Sequence, residues 1–348
     1  MRSTSNRHDR DASVSYGRCV LDRVDPFLGT GATDLVDTTG LAATWWRPKP
    51  PVGNTHPGAT HPFGMVSACS YSGAYPTGYG VYDLTTSGMP PRRFEQPAAS
   101  GITHFQQSGT GAIRKYYNYF RVTPMLEPLD ELGTRWALVD ESATPGTYAT
   151  TLDSGIRCEV TVGPRSAVHR YTFPASDDAR IVVDPSHGGL DIELGKTNPL
   201  RARVELLGPG VAQSEIVVEG TPLAAHIECE APGWRHQLWY DRRLVHGGTR
   251  LDLDHIRPTM LRPFGIMWRG PTHAGQSVEI RLGFSLRGLL RAEANLRADC
   301  GREQRSFDSR QARTERAWRD HLGTVRFEAA GAEHETVMAT ALYHSMIK

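Results

Sequence analysis

No apolar run in the 348-residue chain approaches the roughly 20 residues that a membrane-spanning helix needs. The first residues, "MRSTSNRHDRDASVSYGR", contain no apolar core of the kind a secretory signal carries, which at face value argues against export. Neither sign of charge dominates: 39 Lys and Arg stand against 38 Asp and Glu, a net charge of +1. That balance supplies no electrostatic footprint for nucleic acid or an anionic membrane as partner. Cysteines are few, with Cys19, Cys69, Cys158, Cys229 and Cys300 scattered and odd in number. Such spacing excludes a disulfide framework and any close-spaced zinc motif, and free thiols suit a reducing compartment. Nucleophile signatures are missing as well: there is no Gly-x-Ser-x-Gly elbow, no glycine-rich phosphate loop and no His-Glu-x-x-His.

What remains is 39% hydrophobic and 22% charged, the composition of a globular protein with a sizeable core. Glycine (35) and proline (23) are spread along the chain rather than gathered into a linker. Between them lie short runs with two-residue alternation. In "VEIRLGFSL", Val278, Ile280, Leu282 and Phe284 face one way, while Glu279, Arg281 and Ser285 face the other. The runs "AVHRYTF", "RIVVD", "EIVVEG", "AHIECE" and "HQLWYD" are further strands bounded by turn residues. Many strands without intervening helices predict a mainly β fold, a large antiparallel sandwich. Near residue 285 the period changes. Leu286, Leu289, Leu290 and Leu296 take helical spacing, and a second helix places Phe307, Trp318 and Leu322 on one face and stops at Gly323. After a short strand "VRFEA", a third helix sets Val337, Met338, Ala341, Leu342 and Ser345 on one stripe and is expected still to be running at Lys348. The expected division is 1–23 as a poorly ordered start, 24–285 as the sandwich, 286–323 as a helical linker and 324–348 as the opening of a further helical domain.

Two loops stand out, "NTHPGATHPFGMV" (54–66) and "GITHFQQSGTG" (101–111). Pro57-Gly58 favours a type II turn, since glycine accepts φ > 0 at its third position. Pro62 stiffens the approach to Phe63, and Gly64 frees the backbone beside it. In the second loop Gly109 and Gly111 admit a close ligand, while Ser108 and Thr110 supply hydroxyls that donate and accept. Together with His56 and His104 these groups suit a neutral polyol such as a sugar, and Trp45 or Trp46 offers an apolar platform for a pyranose face. Plainer readings stand beside these. His104 also fits a hydrogen-bonded structural imidazole, and Trp45-Trp46 places one ring in the core because adjacent strand residues point opposite ways. His56 and His61 match no ligand motif, so a metal held by the histidines of this chain is not expected. No pair among Asp140, Glu141, Asp184, Asp191 and Glu193 is marked out as catalytic.

Taken together, "VDPFLGTG" (24–31), "PGATHPFGM" (57–65) and "GITHFQQSGTG" resemble the N-terminal half of glycoside hydrolase family 92, and the likeness returns in "GFSLRGLLRAEANLRAD" and "TALYHSMIK". The resemblance implies a β-sandwich, linker helices and the first helix of a truncated (α/α)₆ toroid. It implies a calcium-dependent exo-α-mannosidase that inverts the anomeric centre and trims N-glycans or mannans. Inversion needs two carboxyl groups roughly 6.5–9.5 Å apart. The family carries both, with its Ca²⁺, on the toroid, so acid, base and calcium ligands are expected beyond Lys348 and this chain alone is expected to be inactive. Trp46, His56, Phe63, Gly64, His104, Ser108, Gly109, Thr110 and Gly111 are the expected sugar-binding residues, with a mannose-containing glycan and the missing C-terminal catalytic domain as partners. The family's second loop usually reads Gly-Phe-Ser-His-x-His-Leu-Ser-Gly-x-Gly. Here Gln106 replaces its second His and Gln107 its Leu, which leaves room for an altered substrate. The alternative is a stand-alone carbohydrate-binding or scaffold sandwich without catalysis.

Overall fold

The computed structural model describes residues 19–31, 53, 55–73, 77–80, 82–83, 92–93, 97–107, 117–186, 188, 201–218, 220–254, 262–301, 305–327 and 331–347. Six short strands come first: β1 (Ala59–Thr60), β2 (Ser67–Ser70), β3 (Tyr82–Asp83), β4 (Arg92–Arg93), β5 (Ala98–Ala99) and β6 (Ile102–His104). Longer ones follow as β7 (Tyr119–Met125), β8 (Trp136–Thr144), β9 (Thr147–Leu152), β10 (Arg157–Val162), β11 (Ser166–Phe173) and β12 (Ser176–Asp184). The set is completed by β13 (Arg201–Gly208), β14 (Val211–Val218), β15 (Thr221–Glu230), β16 (Arg235–Tyr240), β17 (Arg243–Leu244), β18 (Arg250–Asp254), β19 (Phe264–Thr272) and β20 (Gln276–Ser285). Helices α1 (Leu289–Cys300), α2 (Phe307–Leu322) and α3 (Ala332–His344) close the chain.

Two antiparallel sheets carry the fold. One runs β1-β2-β6-β7-β12-β19-β16-β17 and the other β18-β13-β14-β15-β20-β11-β10-β9-β8-β5, with β3-β4 as a separate pair. Alternation along the strands sends one face of each sheet into a shared core that includes Val122, Ile181, Trp239, Tyr148, Ile216 and Ile280. Every strand expected from alternation is present. The outer face of β20 is not solvated, however, and this departs from the simple in-out reading. Arg281 is 1% exposed there, held by Glu230 at 2.6 Å, Glu279 at 2.7 Å and the Arg305 carbonyl at 2.6 Å. Helix α1 covers the same strand, and Gly283 makes the approach possible: a Cβ there would sit 2.4 Å from Leu296 Cβ and 2.5 Å from the Ala292 carbonyl oxygen.

The helices correct several expectations. Leu290, placed on the apolar stripe by spacing, is 85% exposed; Ala292, Asn295, Leu296 and Cys300 are the residues turned inward. Gly323 does end α2, yet with φ −67°, so it caps in the right-handed region and not by the left-handed turn glycine allows. Residues 325–327 form no strand, and 328–330 lie outside the described residues. Helix α3 stops at His344 and buries Ala339, Thr340 and Tyr343, leaving Val337 and Met338 about half exposed. The apolar stripe seen in the sequence is therefore the outward face. A small-residue face holding one tyrosine packs against α2 and the turn around Leu21, touching the sandwich at Thr60.

Candidate functional site

The two loops meet at the β1 edge of the eight-stranded sheet. Strand β2 pairs with β6 in the register Ala68↔His104, Cys69↔Thr103 and Ser70↔Ile102. Just beyond the pairing, Phe105 N donates to the Ser67 carbonyl at 2.9 Å, and Ser67 Oγ donates to the Gln106 carbonyl. Sheet registry thus fixes residues 101–107 against 55–70. Gly58 permits this closeness: a Cβ on it would lie 2.6 Å from the Ala68 carbonyl oxygen, 2.7 Å from Cys69 Cβ and 2.9 Å from His56 Nδ1. The type II turn expected at Pro57-Gly58 does not form as read, because Gly58 is not among the residues with positive φ. Crowding, not turn geometry, is what requires glycine there. The positive φ falls instead on Phe63 (52°), Phe105 (65°), Asn118 (57°) and Phe120 (55°). Non-glycine residues in this region carry a cost that folds tolerate mainly around sites of use.

The end of α3 runs along the first loop. Thr55 Oγ1 lies 3.4 Å from His344 Nε2, Thr60 Oγ1 lies 2.9 Å from the Tyr343 hydroxyl, and Phe63 N donates to the Met346 carbonyl at 2.9 Å. Trp318 of α2 donates to the Thr60 carbonyl at 2.8 Å and packs its ring 4.8 Å from Tyr343. The loop is therefore a fixed surface between sandwich and helices.

Within it, three polar side chains are buried without full partnering. His56 is fully buried; its Nδ1 accepts from Gly58 N at 3.2 Å, so the proton resides on Nε2, which forms no well-aligned hydrogen bond, although the Gln106 backbone carbonyl lies close enough to favour that proton. Burial, and then the nearby His344, hold its pKa down to about 3, so the ring stays neutral. Gln106 donates to the Ser70 carbonyl at 3.1 Å, but its Oε1 is unpartnered. Gln107 is 5% exposed, with neither amide atom bonded. Each such group costs about 1–3 kcal/mol when left unmade. One neutral N–H donor, one amide oxygen and one full amide at the edge of the same loop pair match the alternating donors and acceptors of a polyol.

His104 is placed differently from what its loop suggested. It is fully buried; Nδ1 lies 2.8 Å from the Phe120 carbonyl, Nε2 lies 2.9 Å from His169 Nε2, and Tyr171 OH meets His169 Nδ1 at 2.9 Å. The tautomers follow in one direction, with Tyr171 donating to His169, His169 to His104 and His104 to Phe120. No ring nitrogen is left for a ligand, so His104 holds the loop's base and does not touch a sugar. The structural-imidazole reading is the one the geometry gives. Phe63 and Gly64 sit at the helix end of the first loop. The Phe63 ring is 71% exposed, with His321 edge-on at 5.9 Å, and Gly64 N bonds the His61 carbonyl. Trp46, Ser108, Gly109, Thr110 and Gly111 lie outside the described residues.

Two features escaped sequence reasoning. Gln107 reads only as a departure from the family pattern, and its burial is what marks it as a candidate ligand group. Glu141 looks like any strand carboxylate, but a bulge in β8 between Val139 and Ser142, with Asp140 at φ 53°, turns it inward. There Tyr148 OH lies 2.5 Å from one oxygen and Tyr79 OH 3.4 Å from the other. Burial pushes the carboxyl up in pKa while the two phenols pull it down. Among the described residues no three His, Cys, Asp or Glu side chains converge into a metal site. No helix among them is long and apolar enough to cross a membrane.

Comparison with known sequences and folds places this architecture. The profile of the glycosyl hydrolase family 92 N-terminal domain matches residues 23–285, and that of the family's catalytic domain matches residues 291–348. An uncharacterized secreted glycosidase of Arthroderma benhamiae is 24% identical over 322 residues, 85% of this chain and 40% of the relative. The family GH92 α-mannosidase of Bacteroides thetaiotaomicron superposes with a TM-score of 0.70 at 21% identity, over 94% of this chain and 41% of that one. Its complex with mannoimidazole gives 0.69 at 21% identity, over 94% and 40%. A family GH92 inverting mannosidase of the same species gives 0.67 at 18% identity, over 94% and 39%. The chain thus spans about 40% of the length of these relatives.

Proposed function

The chain belongs to glycosyl hydrolase family 92, and on that premise we propose that it is the N-terminal part of an inverting exo-α-mannosidase acting on mannose-containing glycans, N-glycans or mannans. Its two loops form one wall of the sugar pocket. The observation that carries this reading is the set of buried, incompletely bonded groups, His56 Nε2, Gln106 Oε1 and the Gln107 amide, gathered on loops fixed against α3. A neutral N–H and neutral amides favour hydroxyls over charged ligands.

The mannosidase solved with mannoimidazole supports a mannose-type ligand, and the inverting relative supports the stereochemistry. The match of residues 291–348 to a catalytic-domain profile supports an enzyme over a stand-alone binding module. General acid and base belong, on this reading, to the rest of the toroid. Calcium prefers a cage of oxygen ligands, and the site residues above form none that the sequence or the described residues single out. Calcium, which the family resemblance implies, is accordingly assigned to that other portion, and no step here runs through it. This chain's own residues bind and orient: hydrogen bonds from the loops fix the non-reducing sugar so that proton donor and water meet its anomeric carbon. Gln106 and Gln107, standing where the family usually has His and Leu, would shift linkage preference or substrate.

The test is turnover of an aryl α-mannoside by the full-length protein, with the first-formed anomer read by NMR. β-Mannose is expected. α-Mannose as the first product contradicts inversion, and failure to turn over any α-mannoside contradicts the assignment. The 348-residue chain alone is expected to show no turnover, because loop hydrogen bonds replace neither a proton donor nor an activated water.

A further inference from the structure

Beside His61 of the first loop, a cleft of about 300 Å³ opens against α2, with Asp299 and Asp320 also in its lining. His61 and Pro164 form one wall; Arg310, Arg313 and Arg316 form the other. Their spacing of three puts the arginines along one face of the helix. Arg310 is 3% exposed, yet its hydrogen bonds all go to neutral acceptors, the Asp299 carbonyl at 2.6 Å and Thr314 Oγ1 at 3.2 Å. Arg313 converges on the same Asp299 carbonyl at 2.8 Å. Two guanidinium groups therefore share one backbone oxygen, and neither has a carboxylate partner among the described residues. Arg316, further along, is exposed.

A buried cation without a counter-charge is among the more costly arrangements a fold can hold. Desolvation, and then the charge of Arg313, lower the pKa of Arg310, while Cys300 and the nearby Asp299 carboxylate act the other way. The two carboxylates nearby relieve it only in part, because neither forms an ion pair with the guanidinium. Asp299 is turned toward the turn before β11, accepting from Arg165 N at 2.7 Å and Ser166 Oγ at 3.1 Å, with the Arg165 guanidinium at 3.5 Å. Asp320 is exposed at the far end of the cleft. His61 points its Nδ1 at the Pro62 carbonyl, 3.0 Å away, leaving Nε2 toward the cleft side of the loop.

We propose that this cleft binds a small tetrahedral oxyanion, phosphate or sulfate, free or as an ester on a glycan. Planar guanidinium forks match the oxygen geometry of such an ion and hold it by charge-assisted hydrogen bonds. The ion would complete the joint between α2 and the His61–Gly64 end of the loop, bracing the wall that carries His56. The site is separate from the sugar pocket proposed above, and its test needs no turnover.

The 348-residue chain is titrated with sodium phosphate, sodium sulfate and glucose 6-phosphate, each against sodium chloride of equal ionic strength, following thermal unfolding and heat of binding. Bound ligand raises the unfolding midpoint with concentration. Oxyanions are expected to raise it beyond the chloride control. The double substitution Arg313→Gln with Arg316→Gln, which leaves buried Arg310 in place, is expected to weaken binding at least tenfold. Tenfold tighter binding of glucose 6-phosphate than of phosphate assigns a glycan-borne ester as the ligand; the reverse order assigns the free ion, and similar values show that the phosphate group alone is read. No shift beyond chloride, or a shift that survives the double substitution, overturns the proposal. Either result leaves the mannosidase reading to its own test.

Discussion

His56, His104 and His169 are three imidazoles that the fold keeps neutral, each by burial and none by a carboxylate. Burial holds His104 down at about 4 and His169 well below its ordinary range. The sign of the consequence is fixed. Unfolded histidines take up protons near pH 6.5 while the folded ones refuse them, so the stability is fully present above that pH and is lost progressively as pH falls toward 4. His104 alone, moved from 6.5 to about 4, accounts for about 3 kcal/mol across that window. Urea midpoints measured from pH 7.5 to 4.5 are expected to fall steeply below 6.5. A flat profile would mean that these rings are charged or exposed. Gln107 gives the opposite kind of test, since its buried amide bonds to nothing. Gln107→Leu is expected to stabilise the chain by about 1 kcal/mol in urea unfolding and to raise KM for an α-mannoside in the full-length enzyme. A loss of stability would show that the amide has a partner after all. The sequence flagged position 107 only as a departure from a family pattern. Burial of a polar loop residue has no signature in composition, because it depends on which strand the loop lands against.

At the scale of elements, what was legible is what periodicity encodes. Strands β11, β12, β14, β15, β16 and β20 and the extent of α2 could be read because alternation and helical spacing survive in single segments, whereas α1 starts at Leu289 and leaves out Leu286. What failed was which side of an element faces in. Leu290 and the Val337–Met338 stripe are apolar and outward, while Arg281 and Arg310 are charged and inward, since each face is decided by a partner distant in sequence. The bulge in β8 was likewise invisible. Asp140 there occupies φ 53°, where an L side chain is strained and glycine is not. Asp140→Gly is expected to raise stability by about 0.5–1 kcal/mol with the Glu141–Tyr148 contact intact. Destabilisation would mean that the Asp140 side chain supports the bulge. Gly58→Ala is expected to cost more, about 2–4 kcal/mol by unfolding, because the new methyl meets backbone at 2.6 Å with nowhere to move. A neutral substitution would show that the loop pair is looser than described.

For the whole molecule, the sandwich serves as a rigid frame that brings two sequence-distant loops together and sets them against α3. That residues 55–66 and 101–107 lie together beside α3 depends on β2 pairing β6, a contact across some 35 residues that no local pattern specifies. The family motifs pointed to those loops, and the register explains why they carry His56 and Gln107 to one place. The central claim is that this place is half of a sugar pocket, and one substitution isolates it. His56→Asn keeps an acceptor where Nδ1 receives Gly58 N but removes the Nε2–H donor. The decisive measurement is kcat/KM of full-length protein on an α-mannoside, with and without His56→Asn, alongside the unfolding midpoint. The account predicts a loss of about tenfold, the worth of one neutral hydrogen bond, at unchanged stability. An unchanged kcat/KM in a folded variant would contradict it.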